Sequence, residues 1–190
     1  MKMIKNLRSG LAPIGGGSSG KGTTARKVVC LSVGVAAVVT ALVGAALATP
    51  SSGIVSAIVV ARASFVDSVD VKFKTDTGSE EVVHAPEAQE TVIQQIVIGP
   101  GGSTGWHSHP GPAVALIKAG ALALYSSDDP TCTPRIYLAG EAFVDRGQGH
   151  VHLARNLSPS ENVEVWVTYF DVPPGGSVRL DAANPGNCGF

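Results

Sequence analysis

The sequence predicts an all-β domain, a sandwich or barrel of short strands, carried behind an apolar N-terminal segment. Three observations predict it. Apolar residues in the body of the chain alternate with period two, not 3.6. Gly and Pro clusters interrupt them at short intervals, and many short strands with tight turns make a sandwich or barrel. The charge is segregated: Lys2, Lys5, Arg8, Lys21, Arg26 and Lys27 precede residue 28, whereas the first acidic residue is Asp67.

Over all 190 residues, 14 Lys+Arg face 15 Asp+Glu, a net charge of −1, with 44% hydrophobic and 15% charged residues. That length suits one domain. The composition excludes a wholly disordered chain, and the missing basic footprint argues against a nucleic-acid partner. Removing six leader cations leaves residues 49–190 with eight basic and fifteen acidic side chains, a net charge of −7.

The first element, residues 1–48, is a basic n-region followed by an uncharged run from Val28 to Ala48. Its 21 residues are long enough to cross a bilayer. It ends in Ala46-Leu47-Ala48 before Thr49-Pro50, the small-residue pattern of signal-peptidase cleavage. Cleavage after Ala48 is the preferred reading and an uncleaved membrane anchor the alternative; both export the remainder of the chain, and membrane contact is confined to this segment. Cys30 lacks the small preceding residue of a lipidation site.

A linker and first strand fill residues 49–66, the barrel 67–175, and a tail 176–190. Strands are expected at 55–62, 69–74, 92–98, 113–119, 121–126, 135–138, 142–145, 151–155 and 163–170. The last is the clearest, with Val163, Val165, Val167 and Tyr169 on one face. Turns are expected at Gly99-Pro100-Gly101-Gly102, Pro110-Gly111-Pro112, Gly147-Gln148-Gly149 and Pro173-Pro174-Gly175-Gly176. In an exported context Cys132 and Cys188 form a disulfide tying the tail to the turn at 128–132, the alternative being two free thiols.

Four of the five histidines form two pairs, His107-Ser108-His109 and His150-Val151-His152. Residues two apart on a strand share a face, so each pair can offer two imidazoles to one ion. His84 has no such partner and reads as a surface or edge-strand residue. Trp106, Tyr125, Phe143 and Trp166 could line a pocket or pack a core. Arg155 and Lys118 are the basic residues near these strands. Asn156-Leu157-Ser158 matches a glycosylation sequon. Glu141 and Asp145 have no evident partner, so no catalytic acid or base is assigned.

Gly101, His107, His109 and Gly120 fall on the spacing G(X)5HXH(X)3,4E(X)6G, with Ala113 in place of the Glu. Gly149, His152 and Asn156 fall on the second half of G(X)5PXG(X)2H(X)3N, with Gly147 in place of the Pro. In both the chain resembles the cupin superfamily, over roughly residues 58–172. The resemblance implies a jelly-roll β-barrel in which His107, His109 and His152 hold one divalent metal, with His150 an outer partner or substitute ligand. Without the Glu, three neutral imidazoles suit Fe(II), Ni(II), Cu(II) or Zn(II) better than Mn(II). The implied activity is a metal-dependent oxidoreductase, dioxygenase-like, acting on a small molecule. The alternatives are a non-catalytic small-molecule-binding cupin and a membrane-anchored envelope interaction module. A homodimer is compatible with the resemblance. Coordination is expected to weaken as pH falls through about 6.

Overall fold

The computed structural model describes residues 47–76 and 80–190. All but Leu47 and Ala48 of the expected leader, with Cys30, lies outside the described residues. Among those described, no helix is long and apolar enough to cross a membrane.

Twelve strands make up the described fold: β1 (Ser52–Ser64), β2 (Val71–Asp76), β3 (Glu80–Ala85), β4 (Glu90–Ser103), β5 (His107–Ser108), β6 (Ala113–Ala119), β7 (Ala121–Ser126), β8 (Arg135–Leu138), β9 (Ala142–Asp145), β10 (His152–Asn156), β11 (Val163–Val172) and β12 (Leu180–Asp181). β2 and β3 pair as a separate hairpin. The other ten form one antiparallel sheet that curls into a nearly closed jelly-roll-like barrel. One wall runs β1-β4-β11-β6-β9; the other holds β10 with β5 and β12 at one end and β7 and β8 alongside. The walls meet where Arg155 of β10 pairs with Ser103 of β4.

Alternation fixes what each strand buries. On β11 the predicted face, Val163, Val165, Val167 and Tyr169, is at most 7% exposed. It packs with Val92, Ile98, Ala115 and Ile117 in the main core. β7 and β10 are buried on both faces: Leu122 and Ala154 join the main core, while Ala123, Tyr125 and Leu153 join a second cluster around Trp106 and Cys188. The tail supplies that second cluster, because Cys188 is bonded to Cys132 with Cα atoms 5.3 Å apart. Thr49 and Ala182 complete it. Thr49 donates to the Ala182 carbonyl through its backbone N–H (3.0 Å) and its hydroxyl (3.1 Å), and accepts from the Trp106 N–H at 3.1 Å. Ala182 N–H in turn donates to the Trp106 carbonyl at 3.0 Å.

The expected turn at 99–102 is instead the continuation of β4, which runs to Ser103. Gly102 permits it: a Cβ there would lie 2.8 Å from the Gly53 carbonyl oxygen, so only glycine lets β1 and β4 approach so closely. β3, β5 and β12 are additional to the expected strands.

Asn156 is fully buried, which removes it as a glycosylation acceptor in the folded protein. Its Nδ2 donates to the carbonyls of Ile98, Gly99 and Glu161 at 2.7–3.0 Å, and its Oδ1 accepts from the Ser158 N–H at 2.9 Å. Asn156→Ala orphans four backbone groups and should cost about 3 kcal/mol or more, read as a lowered denaturation midpoint with unchanged slope.

Candidate metal centre

His107 and His152 are direct cross-strand partners on β5 and β10, so their side chains sit side by side on one face. His109 follows His107 by two residues. The three rings converge, with centroids 4.9 Å (His107–His109), 4.4 Å (His107–His152) and 5.1 Å (His109–His152) apart. One nitrogen from each lies within 4.8 Å of the others, and all three residues are 5–6% exposed.

Two of the rings are held by hydrogen bonds from Nδ1. In His107 it donates to the Gly105 carbonyl at 2.9 Å and in His109 to the Val178 carbonyl at 2.6 Å. A carbonyl only accepts, so both protons sit on Nδ1 and Nε2 keeps its lone pair. His152 Nδ1 lies 2.7 Å from Asp145 Oδ2. Asp145 is itself 6% exposed and accepts the Gly147 N–H through Oδ1 at 2.6 Å. Gly147 stands where the resembled motif has Pro: its φ of +59° is closed to proline, and a Cβ would collide with the Gly111 carbonyl oxygen.

His150 does not join the trio. It precedes β10, its Nε2 lies 2.9 Å from Ser126 Oγ, and its ring centroid is 6.0 Å from that of His152. With Asp145 and His152 it forms a second grouping within 4.8 Å, facing Asp128, whose Oδ2 is 3.6 Å from His150 Nε2. His84 sits exposed on β3, 3.7 Å from Asp70.

Burial, reinforced by the charge of His152, pushes His107 down to about 2 and His109 to about 4. Burial alone would raise Asp145; the charge of His152 beside it overcomes this and holds Asp145 below the usual carboxylate range. Protons compete at His109 only near pH 4 and at His107 near pH 2. The unfolded chain takes up these protons first, below about 6.5, so the metal-free protein should lose stability progressively as pH falls from 6.5 towards 4. Urea unfolding of metal-free protein at pH 7 and pH 4.5 measures this; equal midpoints would contradict it.

Two cavities meet at the trio. An enclosed chamber of ≈ 50 Å³ runs into the barrel, lined by Ala113, Leu124, Phe143, Asp145 and Val167 beside the histidines. A second cavity of ≈ 140 Å³, a vestibule that shares His107 and His109 with it, is lined also by Ser51, Gln94, Val178 and Arg179. Phe143 is the only one of the four singled-out aromatics that lines the chamber. Trp106 and Tyr125 belong to the second cluster, and Trp166 is on the outer face of β11, donating to Glu164 at 2.8 Å. Arg155 stacks on Phe190, 4.5 Å from the ring centroid, and Lys118 is on the outer face of β6; neither reaches the trio. The cation that does is Arg179, whose charge bears on His107 and His109. Tyr169 faces the trio, 4.9 Å from the His109 ring, and donates to Gln94 at 3.1 Å.

Strand order and site together define a jelly-roll-like barrel with a buried three-imidazole cluster. No family profile and no curated protein matches the chain. Similar solved structures include an oxalate oxidase, a cupin-like protein and a double-stranded β-helix protein. An oxalate oxidase is 23% identical over 43% of this chain and 41% of its own, with a TM-score of 0.36. A cupin-like protein from Thermotoga maritima is 23% identical over 50% and 65%, with a TM-score of 0.42. A double-stranded β-helix protein from Klebsiella pneumoniae is 20% identical over 50% and 76%, with a TM-score of 0.39. The chain thus spans less than half of the oxalate oxidase, and the likeness concerns the barrel.

Proposed function

We propose that the chain is an exported protein that binds one divalent transition metal through His107, His109 and His152 and acts as an oxidoreductase on a small molecule. The observation that carries this is the buried trio, in which Nδ1 of His107 and of His109 is bonded to a carbonyl so that Nε2 keeps its lone pair. Three imidazoles fit Fe(II), Ni(II), Cu(II) or Zn(II). A bound ion would supply Lewis acidity and, if redox-active, electrons for dioxygen.

The chain's own residues set the limits. A water needs roughly 10–15 Å³ of such volume, so the ≈ 50 Å³ chamber has room for an ion's ligands and a few heavy atoms. Its wall is mostly apolar, and the vestibule that shares His107 and His109 with it brings Gln94 and Arg179 to the site. A metal-dependent binder without turnover is the second reading. It is favoured by the engagement of the chamber's other ionisable groups, Asp145 with His152 and Gly147, and Tyr169 with Gln94.

Elemental analysis of protein purified without chelator should give about one metal ion per chain; none would defeat both readings. Oxygen uptake by the Fe(II)-loaded protein with small diols, oxo acids and thiols separates them: uptake supports the oxidoreductase, tight binding without uptake the binder. Export is supported by the Cys132–Cys188 bond, which persists in oxidising compartments. N-terminal sequencing of the exported form should begin at Thr49.

A further inference from the structure

The carboxylate absent at position 113 has a counterpart across the strand pair. Ala113 of β6 and Asp145 of β9 are direct antiparallel partners, so their side chains leave neighbouring positions on the same, inward face. Ala113 is 1% exposed and Asp145 6%, and both line the chamber. Asp145 is buried among apolar groups, where an ionised carboxylate persists only if its oxygens are engaged. One accepts from the Gly147 N–H at 2.6 Å, and the other forms an ion-pair contact with His152 Nδ1 at 2.7 Å.

Resting on the metal-centre reading above, we propose that Asp145 is the anionic member of the centre. It acts through His152 and takes over from position 113 the charge that an ion held by three neutral rings would otherwise lack. As a positioning residue it fixes the His152 proton on Nδ1, presents Nε2 as the donor and makes that nitrogen more basic. Because both its oxygens are committed, Asp145 does not fill the coordination position that a glutamate at 113 would take. That position stays open towards the chamber, which Ala113 lines. The chain thereby keeps a carboxylate's charge next to the ion while freeing one more site for an exogenous ligand.

Nitrogen-15 NMR of metal-free wild-type protein should show His152 as the Nδ1–H tautomer; an Nε2–H tautomer overturns the proposal without any variant. Asp145→Asn keeps the shape and an acceptor for Gly147. The amide can instead donate to Nδ1, which moves the His152 proton to Nε2. Chelator competition with Zn(II) should then show affinity lowered 10–100-fold. Asp145→Glu, which restores the carboxylate, should return the Nδ1–H tautomer and recover at least part of the affinity. An Asn variant that keeps the wild-type tautomer, or loses less than tenfold in affinity, overturns the role of Asp145 while leaving the three-histidine site standing. A wild-type protein that binds no Zn(II) defeats the site itself.

Discussion

His107→Ala and His152→Ala should each reduce bound metal from about one ion per chain to almost none, yet differ in what they do to the stability of the metal-free protein. Either change leaves two imidazoles, and a two-nitrogen set in a buried pocket does not retain a divalent ion against chelator. The stability difference comes from what each ring touches. His107 is a desolvated imidazole whose Nδ1 partner, the Gly105 carbonyl, lies in an adjacent turn, and burial already holds it far from its ordinary pKa. Removing it deletes a proton uptake that the unfolded chain gains below about 6.5, so the metal-free variant should lose less stability than the parent as pH falls below that value. His152 is the partner of a buried carboxylate at 2.7 Å. Removing it leaves Asp145 charged and unpaired in an apolar wall, at a cost on the order of 3 kcal/mol or more. Urea unfolding of both apoproteins tests this; equal losses would mean that the Asp145–His152 contact contributes nothing to the fold.

Breaking the Cys132–Cys188 bond should be the largest perturbation remote from the histidines. The bond closes a loop across a separation of 56 residues, worth about 4 kcal/mol in unfolded-state entropy. For a domain of this size that corresponds to a drop in Tm of about 15 °C. Cys188 is 5% exposed and packs in the cluster around Trp106, so the replacement must also fill its place; Cys132→Ala with Cys188→Ala tests this alongside chemical reduction. The loop holds His152 and Val178, whose carbonyl fixes His109. Reduction should therefore weaken metal retention as well as stability, and retention unaffected by reductant would show the two to be uncoupled.

The barrel was legible in the chain because inward positions are apolar at every second residue and turns carry Gly and Pro. β5 and β12 were not, since two-residue strands have no period to display. β3 was hidden by Glu80 and Glu81 at its start. Gly99–Gly102 read as a turn because the close approach of Gly53 that makes β4 continuous is a contact between distant segments. The trio followed from spacing, but its orientation did not. Asp145, Val178 and Arg179 meet the histidines through tertiary pairing, and no local pattern marks an aspartate as lying beside a residue 32 positions earlier. One signal was available: Phe143 and Asp145 alternate on an inward face, and a carboxylate at a core-facing position requires a partner.

The clasp on Trp106 bears on how the molecule opens. Thr49 and Ala182, 133 residues apart, hold each other and the same backbone unit, one residue before His107. Local unfolding ordinarily begins at chain ends, which fray separately at little cost. Here neither of these two segments can leave without releasing the other, and both are bonded to Trp106, next to the strand that carries His107. The first and last segments of the barrel and one wall of its histidine cluster therefore form a single cooperative unit, so that fraying is replaced by an all-or-none opening.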